Sequence, residues 1–427
     1  MVLEMLMQSV FEFADIFFVS RLGADAVAAV GIGASLLIFV FATGIGLSMA
    51  VTAMVARRIG EKNPEAASAT AWQAIIAGVA ISIPFSVVGI VFAPDMLRLM
   101  GATEEVVEYG TTYVAILFGS NITILLLFLI NAIFRGAGDA VFAMRALAIA
   151  NLLNIALDPL FIFGLGPIPA MGITGAAIAT AISRATGIAY QLLVLFRGSG
   201  RLTIRRKAMH TNRKLLQRML KISGPGIVQY LIASASWIAI IRLVAVFGSE
   251  AVAGYTIGVR VVIFAILPAW GMANAAATLT GQNLGAGQPD RAARSVWITA
   301  GASASILALA GIGLIMTSNS IMCLFTDQPG VIEVGALLLR YLGGSYPFLA
   351  LGMTMLQAFN GAGDTVTPTW INFFCGWLFQ IPTALLLAHT LGLGTEGIFI
   401  GVAATQVVYA AVGIAWFRRG RWKLKVV

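Results

Sequence analysis

Between Asp25 and Arg57 the chain carries no Asp, Glu, Lys, Arg or His. A helix over that stretch would cross a hydrocarbon core roughly 30 Å thick. Apolar runs of this kind recur to the end of the chain. They point to helices as the spanning structure, because a transmembrane β-barrel needs alternating segments of about ten residues, and none occur. Composition agrees: 59% of the 427 residues are hydrophobic and 11% are charged, too little charge for the surface of a soluble chain. The expected fold class is an all-α polytopic membrane protein.

The runs place twelve transmembrane helices over 1–22, 25–56, 69–93, 107–134, 140–164, 172–197, 217–247, 250–283, 294–320, 331–359, 366–391 and 395–417. One long polar break, "RGSGRLTIRRKAMHTNRK" (197–214), divides them six and six. The expected organisation is an N-terminal six-helix lobe over 1–197, a basic cytoplasmic linker over 198–216, and a C-terminal six-helix lobe with a basic tail over 217–427.

The two halves align on one another at a single offset of 225 residues. "LGADAVAAVGIG" (22–33) lies over "FGSEAVAGYTIG" (247–258), and "RRIGEKNPEAA" (57–67) over "QNLGAGQPDRA" (282–292). "RGAGDA" (135–140) lies over "NGAGDT" (360–365), and "GITGAAIATAI" (172–182) over "GIFIGVAATQV" (397–407), which pairs Thr180 with Thr405. An even helix count makes these parallel repeats, related by an axis along the membrane normal with a cleft between them. The offset maps Met1 onto Gly226, just past "SGPG" (223–226). The first helix is therefore expected to lack its opening two turns, as a displaced start codon or a truncated sequence would produce. A signal peptide does not fit, since Glu4, Glu12 and Asp15 interrupt the apolar run.

Orientation follows from Lys and Arg. The loops after helices 2, 4, 6, 8 and 10 together with the tail "RRGRWKLK" (418–425) collect 21 of the 27, including every lysine. That side is read as cytoplasmic, with both termini inside a cell (inner) membrane. The same excess accounts for the net charge of +9, so no nucleic-acid partner is expected. Cys323 and Cys375 read as small packing residues, and with only His210 and His389 beside them no zinc ligand set assembles.

Ionisable groups at membrane depth cost a few kcal/mol or more and are functional candidates. Gln8, Glu12 and Asp15 form a polar stripe on the first helix, and Asn151, Asn154 and Asp158 a second on the fifth. Counting from the outer helix ends at 1.5 Å per residue, Asp15, Asp158 and Thr180 all lie roughly 9–12 Å deep. Hard cations prefer such oxygen ligands, and two carboxylates in a dry site share protons readily. Pro159 cannot donate to the carbonyl of Ile155, so it should either kink the fifth helix beside the acid or be tolerated near the helix end. Arg184 lies one turn below Thr180, and Arg260 and Arg340 lie deep in the C-terminal half, where they pair structurally or contact substrate. In that half Asp158 maps to Thr383, Asn154 to Phe379 and Asp15 to Ile240, so the repeat has lost its acids. The "GAGD" turns (136–139 and 361–364) read as helix-ending turns; without a following Lys-Ser/Thr or a preceding strand they do not bind nucleotide.

Seven pieces in order, "ADIFFVSRLGADAVAAVGI" (14–32), "VARRIGEKNPEAA" (55–67), "FRGAGD" (134–139), "NIALDPLFIFG" (154–164), "GITGAAIAT" (172–180), "GQNLGAG" (281–287) and "NGAGDTVTP" (360–368), resemble the multidrug and toxic compound extrusion (MATE) transporters. The resemblance implies a V-shaped pair of six-helix lobes and a secondary antiporter. Such a protein exports bulky cationic or amphiphilic small molecules against an inward Na+ or H+ gradient. It also implies a cation or proton site at Asp15, Asn154, Asp158 and Thr180, where Na+ is one candidate ion. Gln8, Asn151, Arg184 and Glu12 are secondary candidates; Glu12 departs from the small polar residue often found there, as a second proton carrier or a cavity-lining acid. The absence of acids from helices 7 and 10 away from their ends disfavours the sodium-coupled branch that carries them. No cofactor beyond the coupling ion is expected, and the partners are small molecules and lipid, with the chain a monomer. Two competitors remain: a lipid-linked oligosaccharide flippase, against which twelve helices and the acids argue, and an intramembrane enzyme, for which Asp15 and Asp158 would have to form a catalytic pair. The expectation is a transporter and not an enzyme.

Overall fold

The computed structural model describes residues 17–427. Among these residues no strand forms, and one isolated bridge joins Leu165 and Ile168. Eleven helical spans are long and apolar enough to cross a membrane: Asp25–Gly60, Pro64–Val91, Glu104–Ala137, Ala140–Phe163, Gly172–Arg197, Arg213–Ala245, Ser249–Gly285, Pro289–Cys323, Pro329–Gly361, Val366–Thr390 and Gly394–Arg418. Each overlays one of the runs read from hydropathy. The remaining run, 1–22, lies almost wholly outside the described residues. The protein is a multi-pass membrane protein.

The chain divides into two compact units between Ile227 and Val228. In the first unit the helices are α1 (Ala24–Leu36), α2 (Ile38–Gly60), α3 (Pro64–Val91), α4 (Ala93–Leu99), α5 (Glu104–Gly119), α6 (Asn121–Ala137), α7 (Ala140–Phe163) and α8 (Gly172–Arg197). Two runs read as single helices are interrupted. α1 and α2 part at Leu37, and α5 and α6 part at Ser120. At the second break Asn121 is fully buried, and its amide donates to the carbonyls of Ser82 (3.1 Å) and Phe118 (2.6 Å) and to the Ser86 hydroxyl (2.8 Å). A side chain that bonds backbone carbonyls at membrane depth competes with the helix ladder and fixes the interruption.

α7 and α8 form one closely packed pair. A Cβ at Gly175 would stand 2.3 Å from the carbonyl oxygen of Phe161, and one at Gly187 would stand 3.1 Å from that of Ala146. Helices in lipid associate through van der Waals contact at small residues, so these glycines set the distance between the two backbones. α7 runs on through Pro159 to Phe163 and stops at Gly164, whose φ of +76° few other residues adopt.

The basic segment after α8 is bound tightly to the first unit. The backbone N–H of Arg205 donates to Ser68 (3.0 Å), and that of Arg201 to Asp139 (2.5 Å). Gln73, fully buried, donates to the carbonyl of His210 (2.7 Å) and accepts from the N–H of Asn212 (3.1 Å). Leu202, Ile204 and Ala208 are buried.

The second unit is built from α9 (Arg213–Ala245, which straddles the boundary), α10 (Ser249–Gly285), α11 (Pro289–Cys323), α12 (Pro329–Gly361), α13 (Val366–Phe373), α14 (Ile381–Leu385) and α15 (Gly394–Arg418). Phe374–Gln380 and Leu386–Thr390 are wound as π-helix. The tail folds back through Trp422, buried and stacked on Phe417 at 4.7 Å.

The repeat is written into the backbone as well as the letters. Gly23 and Gly248 have φ of +107° and +101°, Lys62 and Gly287 +53° and +69°, and Gly138 and Gly363 +85° and +83°. Each pair is separated by the sequence offset of 225. The "GAGD" aspartates also share a task. Asp139 holds Arg201 (3.6 Å) after α8, and Asp364 holds Lys425 (3.2 Å) after α15. Glu65 and Asp290, again one offset apart, reach Arg205 (4.0 Å) and Lys423 (2.8 Å).

Candidate functional site

α7 carries three polar residues on the flank it turns into the first unit. Asn151, Asn154 and Asp158 are all buried, the last two completely, whereas Leu152 and Ile155 on the same helix are exposed. The burial follows from the spacing: positions 151, 154 and 158 return to one face, while the intervening apolar positions take the outer face. On α8, Thr180 and Ser183 are buried one turn apart, and Arg184 is half-buried.

The close packing at Gly175 and Gly187 brings the two polar faces together. The Asn154 amide nitrogen donates to Asp158 Oδ1 at 2.9 Å and reaches Thr180 Oγ1 at 3.5 Å. Its own Oδ1 is buried and has no hydrogen-bond partner among the described residues, and the same holds for Ser183 Oγ. A buried acceptor left unused costs about 1–3 kcal/mol, so each such atom calls for an explanation, and here it lies beside a buried carboxylate. The oxygens gathered here belong to a carboxylate, an amide and a hydroxyl, a donor set that suits a hard cation or a shared proton.

Of the residues singled out in the sequence, Asn154, Asp158 and Thr180 form this cluster, and Asn151 lies one turn along the same buried flank. Asp15, Glu12 and Gln8 lie outside the described residues. Arg340 bonds Ser318 (2.9 Å) and Asn319 (3.3 Å), and Arg260 is exposed. The repeat partner of Thr180, Thr405, turns back to donate to its own helix at Gly401 (2.7 Å). The stretch equivalent to α7 is the one interrupted by π-helix, with Thr383 in place of the acid.

One buried polar pair escaped the sequence reading. Gln191 on α8, fully buried, donates to Asn131 on α6 at 2.5 Å, and its Oε1 has no partner among the described residues. The signal was present: Gln191 lies three helical turns from Thr180 on the same face. It was a lone amide with no acid near it in sequence.

Comparison with known proteins gives one consistent result. The MatE family profile matches residues 1–160 and 225–386. A probable multidrug resistance protein NorM of Thermotoga maritima is 28% identical over 433 residues, covering 99% of this chain and 91% of that protein. A FAD transporter of Shewanella oneidensis is 26% identical over 410 residues, covering 95% and 89%. Among solved structures, a crystal structure of MATE in the straight conformation superposes with a TM-score of 0.92 at 27% identity, covering 100% of this chain and 95% of that one.

Proposed function

The chain belongs to the MatE family of multidrug and toxic compound extrusion transporters, and on that premise we propose that it is a secondary active antiporter. It exports bulky cationic or amphiphilic molecules in exchange for Na+ or H+, from a cell membrane in which both termini are cytoplasmic. The coupling site comprises Asp158, Asn154 and Thr180, together with Asp15. The observation that carries this reading is the full burial of Asp158 beside an Asn154 Oδ1 that has no partner among the described residues.

An ionised carboxylate in that position is costly, and a cation or a proton relieves the cost. Asn154 keeps Asp158 Oδ1 oriented by donating to it, and its own Oδ1, without a partner among the described residues, faces the arriving ion beside the Thr180 hydroxyl. Occupation then favours whichever packing of the lobe holds the neutralised site, and the ion gradient biases alternating access by that difference in affinity. The chain itself has no bond to make or break in this cycle.

The test is efflux from proteoliposomes with a sodium gradient or a pH gradient imposed one at a time. One gradient should drive efflux, and Asp158→Asn should abolish it while the protein remains folded. Full activity in Asp158→Asn overturns the site, and efflux indifferent to both gradients overturns antiport.

On cargo, the multidrug name of the Thermotoga relative favours amphiphilic cations, and the FAD name of the Shewanella relative favours an anionic cofactor. Competition for efflux between ethidium and FAD separates the two.

A further inference from the structure

The basic segment after α8 does more than connect two units. Together with the start of α3 it lines a half-open cavity of about 740 Å³ lying wholly within the first unit. Four cations, Arg58, Arg205, Arg206 and Lys207, line it against a single acid, Glu65, with His210 at the same wall. Arg58 is paired with Glu61 at 2.7 Å, and Arg205 stands 4.0 Å from Glu65, where both side chains are largely exposed. Arg206 and Lys207 form no ion pair among the described residues, and the cavity therefore holds a marked excess of positive charge.

The side chains of Arg205, Arg206 and Lys207 are exposed at the cavity's rim; a positive-inside bias accounts for basic residues on this face but not for their convergence on one cavity. The backbone that carries them is held in place. Ser68 and Gln73, both fully buried, hold the backbone at Arg205, His210 and Asn212, on either side of the short 3₁₀ turn Arg206–Ala208. A cation on a backbone held this way has less freedom to lose on binding than one on a loose loop. The volume falls in the range of small-molecule sites, roughly 300–1,000 Å³. Ala69 and Leu215 give the same cavity an apolar wall.

We propose that this cavity binds a phosphate-bearing anion. The ligand is the headgroup of an anionic phospholipid at this membrane face, or a small soluble phosphate ester that presents the same group. Basic pockets at the cytoplasmic ends of membrane helices attract such groups through charge and hydrogen bonding together. The site is separate from the buried acid of α7 and does not depend on which ion or cargo the transporter uses.

Full-length protein in neutral detergent is titrated by calorimetry with a short-chain phosphatidylglycerol, the matching phosphatidylcholine and glycerol phosphate. Phosphatidylglycerol should bind and phosphatidylcholine should not. Arg206→Gln combined with Lys207→Gln should weaken binding about tenfold or more. The exposed tail pair Arg419→Gln with Arg421→Gln removes the same charge elsewhere and should leave binding unchanged. Glycerol phosphate binding as tightly as the lipid assigns the site to a soluble ester; binding of the lipid alone assigns it to the membrane. The proposal is overturned if neither phosphate compound binds, if phosphatidylcholine binds equally, or if the two double variants behave alike.

Discussion

At the residue scale the coupling proposal depends on a few atoms, and each side chain has its own expected signature. Thr180→Val keeps the shape and removes the hydroxyl, so it should lower the apparent affinity for the coupling ion severalfold while Thr180→Ser restores it. Ion-dependent efflux rates read both. Asn154→Leu removes the donor to Asp158 Oδ1 and, at once, an oxygen without a partner among the described residues. Loss of a hydrogen bond to a charged group costs about 1.5–3 kcal/mol, so thermal unfolding should shift together with transport. Gln191→Leu provides the contrast. It strands Asn131 and should destabilise by about 1–3 kcal/mol with the choice of coupling ion unaltered, because the amide pair carries no charge. Asp158 and its stripe were legible in the sequence because a carboxylate in an apolar helix is conspicuous. The Gln191–Asn131 pair was not, because a single amide in a long apolar helix has many innocent readings until its partner from another helix is known.

At the scale of the element, small residues and turn conformations do the positioning. Gly175→Val would push its side chain into the carbonyl of Phe161 and separate α7 from α8. Overpacking of this kind costs about 1–3 kcal/mol, and the Asn154–Thr180 approach should be lost with it. A lowered melting temperature and weakened efflux in the same variant check this. Lys62 is the non-glycine residue with positive φ among those described, and its repeat partner is Gly287. Lys62→Gly should therefore stabilise the turn between α2 and α3 by about 1 kcal/mol, measured as a raised melting temperature. Gln73→Leu should release the basic segment from α3, and trypsin should then cut at Arg205–Lys207 at concentrations that spare the wild type. Helix limits were readable to within a few residues from hydropathy alone. The breaks at Leu37 and Ser120 were not, because apolar residues continue across both and the cause at the second is a bond from Asn121 to a neighbouring helix.

At the scale of the whole molecule, the duplicated sequence repeats its fastenings as well as its helices. In each unit an acid of the "GAGD" turn and an acid in the first turn of α3 or α11 both engage the basic segment that follows the last helix. The exposed pairs at Glu65 and Asp290 are individually weak, and backbone bonds add to the fastening in the first unit as buried Trp422 does in the second. What the repeat does not preserve is the acid: Asp158 is replaced by Thr383 and the helix around it is partly π-wound. The proposed orientation makes its own prediction. In a background without Cys323 and Cys375, single cysteines placed at Lys62, Arg206 or Arg421 should react with an impermeant thiol reagent from one side of the membrane. Those at Gly101, Gly166 or Thr326 should react from the other.

The sequence by itself determined the class, the spans, the offset between the halves and the candidate acid, because all of these follow from one-dimensional quantities: apolar run length, periodicity and the cost of a charge in lipid. Tertiary structure alone decided which polar side chains meet. Asn154 reaches Thr180 only because Gly175 and Gly187 let α7 and α8 approach, and Gln191 finds Asn131 across a helix interface that periodicity does not name. It also decided that the basic segment after α8 is a fixed wall of a cavity, since Ser68 and Gln73 bind it through its backbone, and a backbone contact leaves no trace in the identity of the residue that makes it.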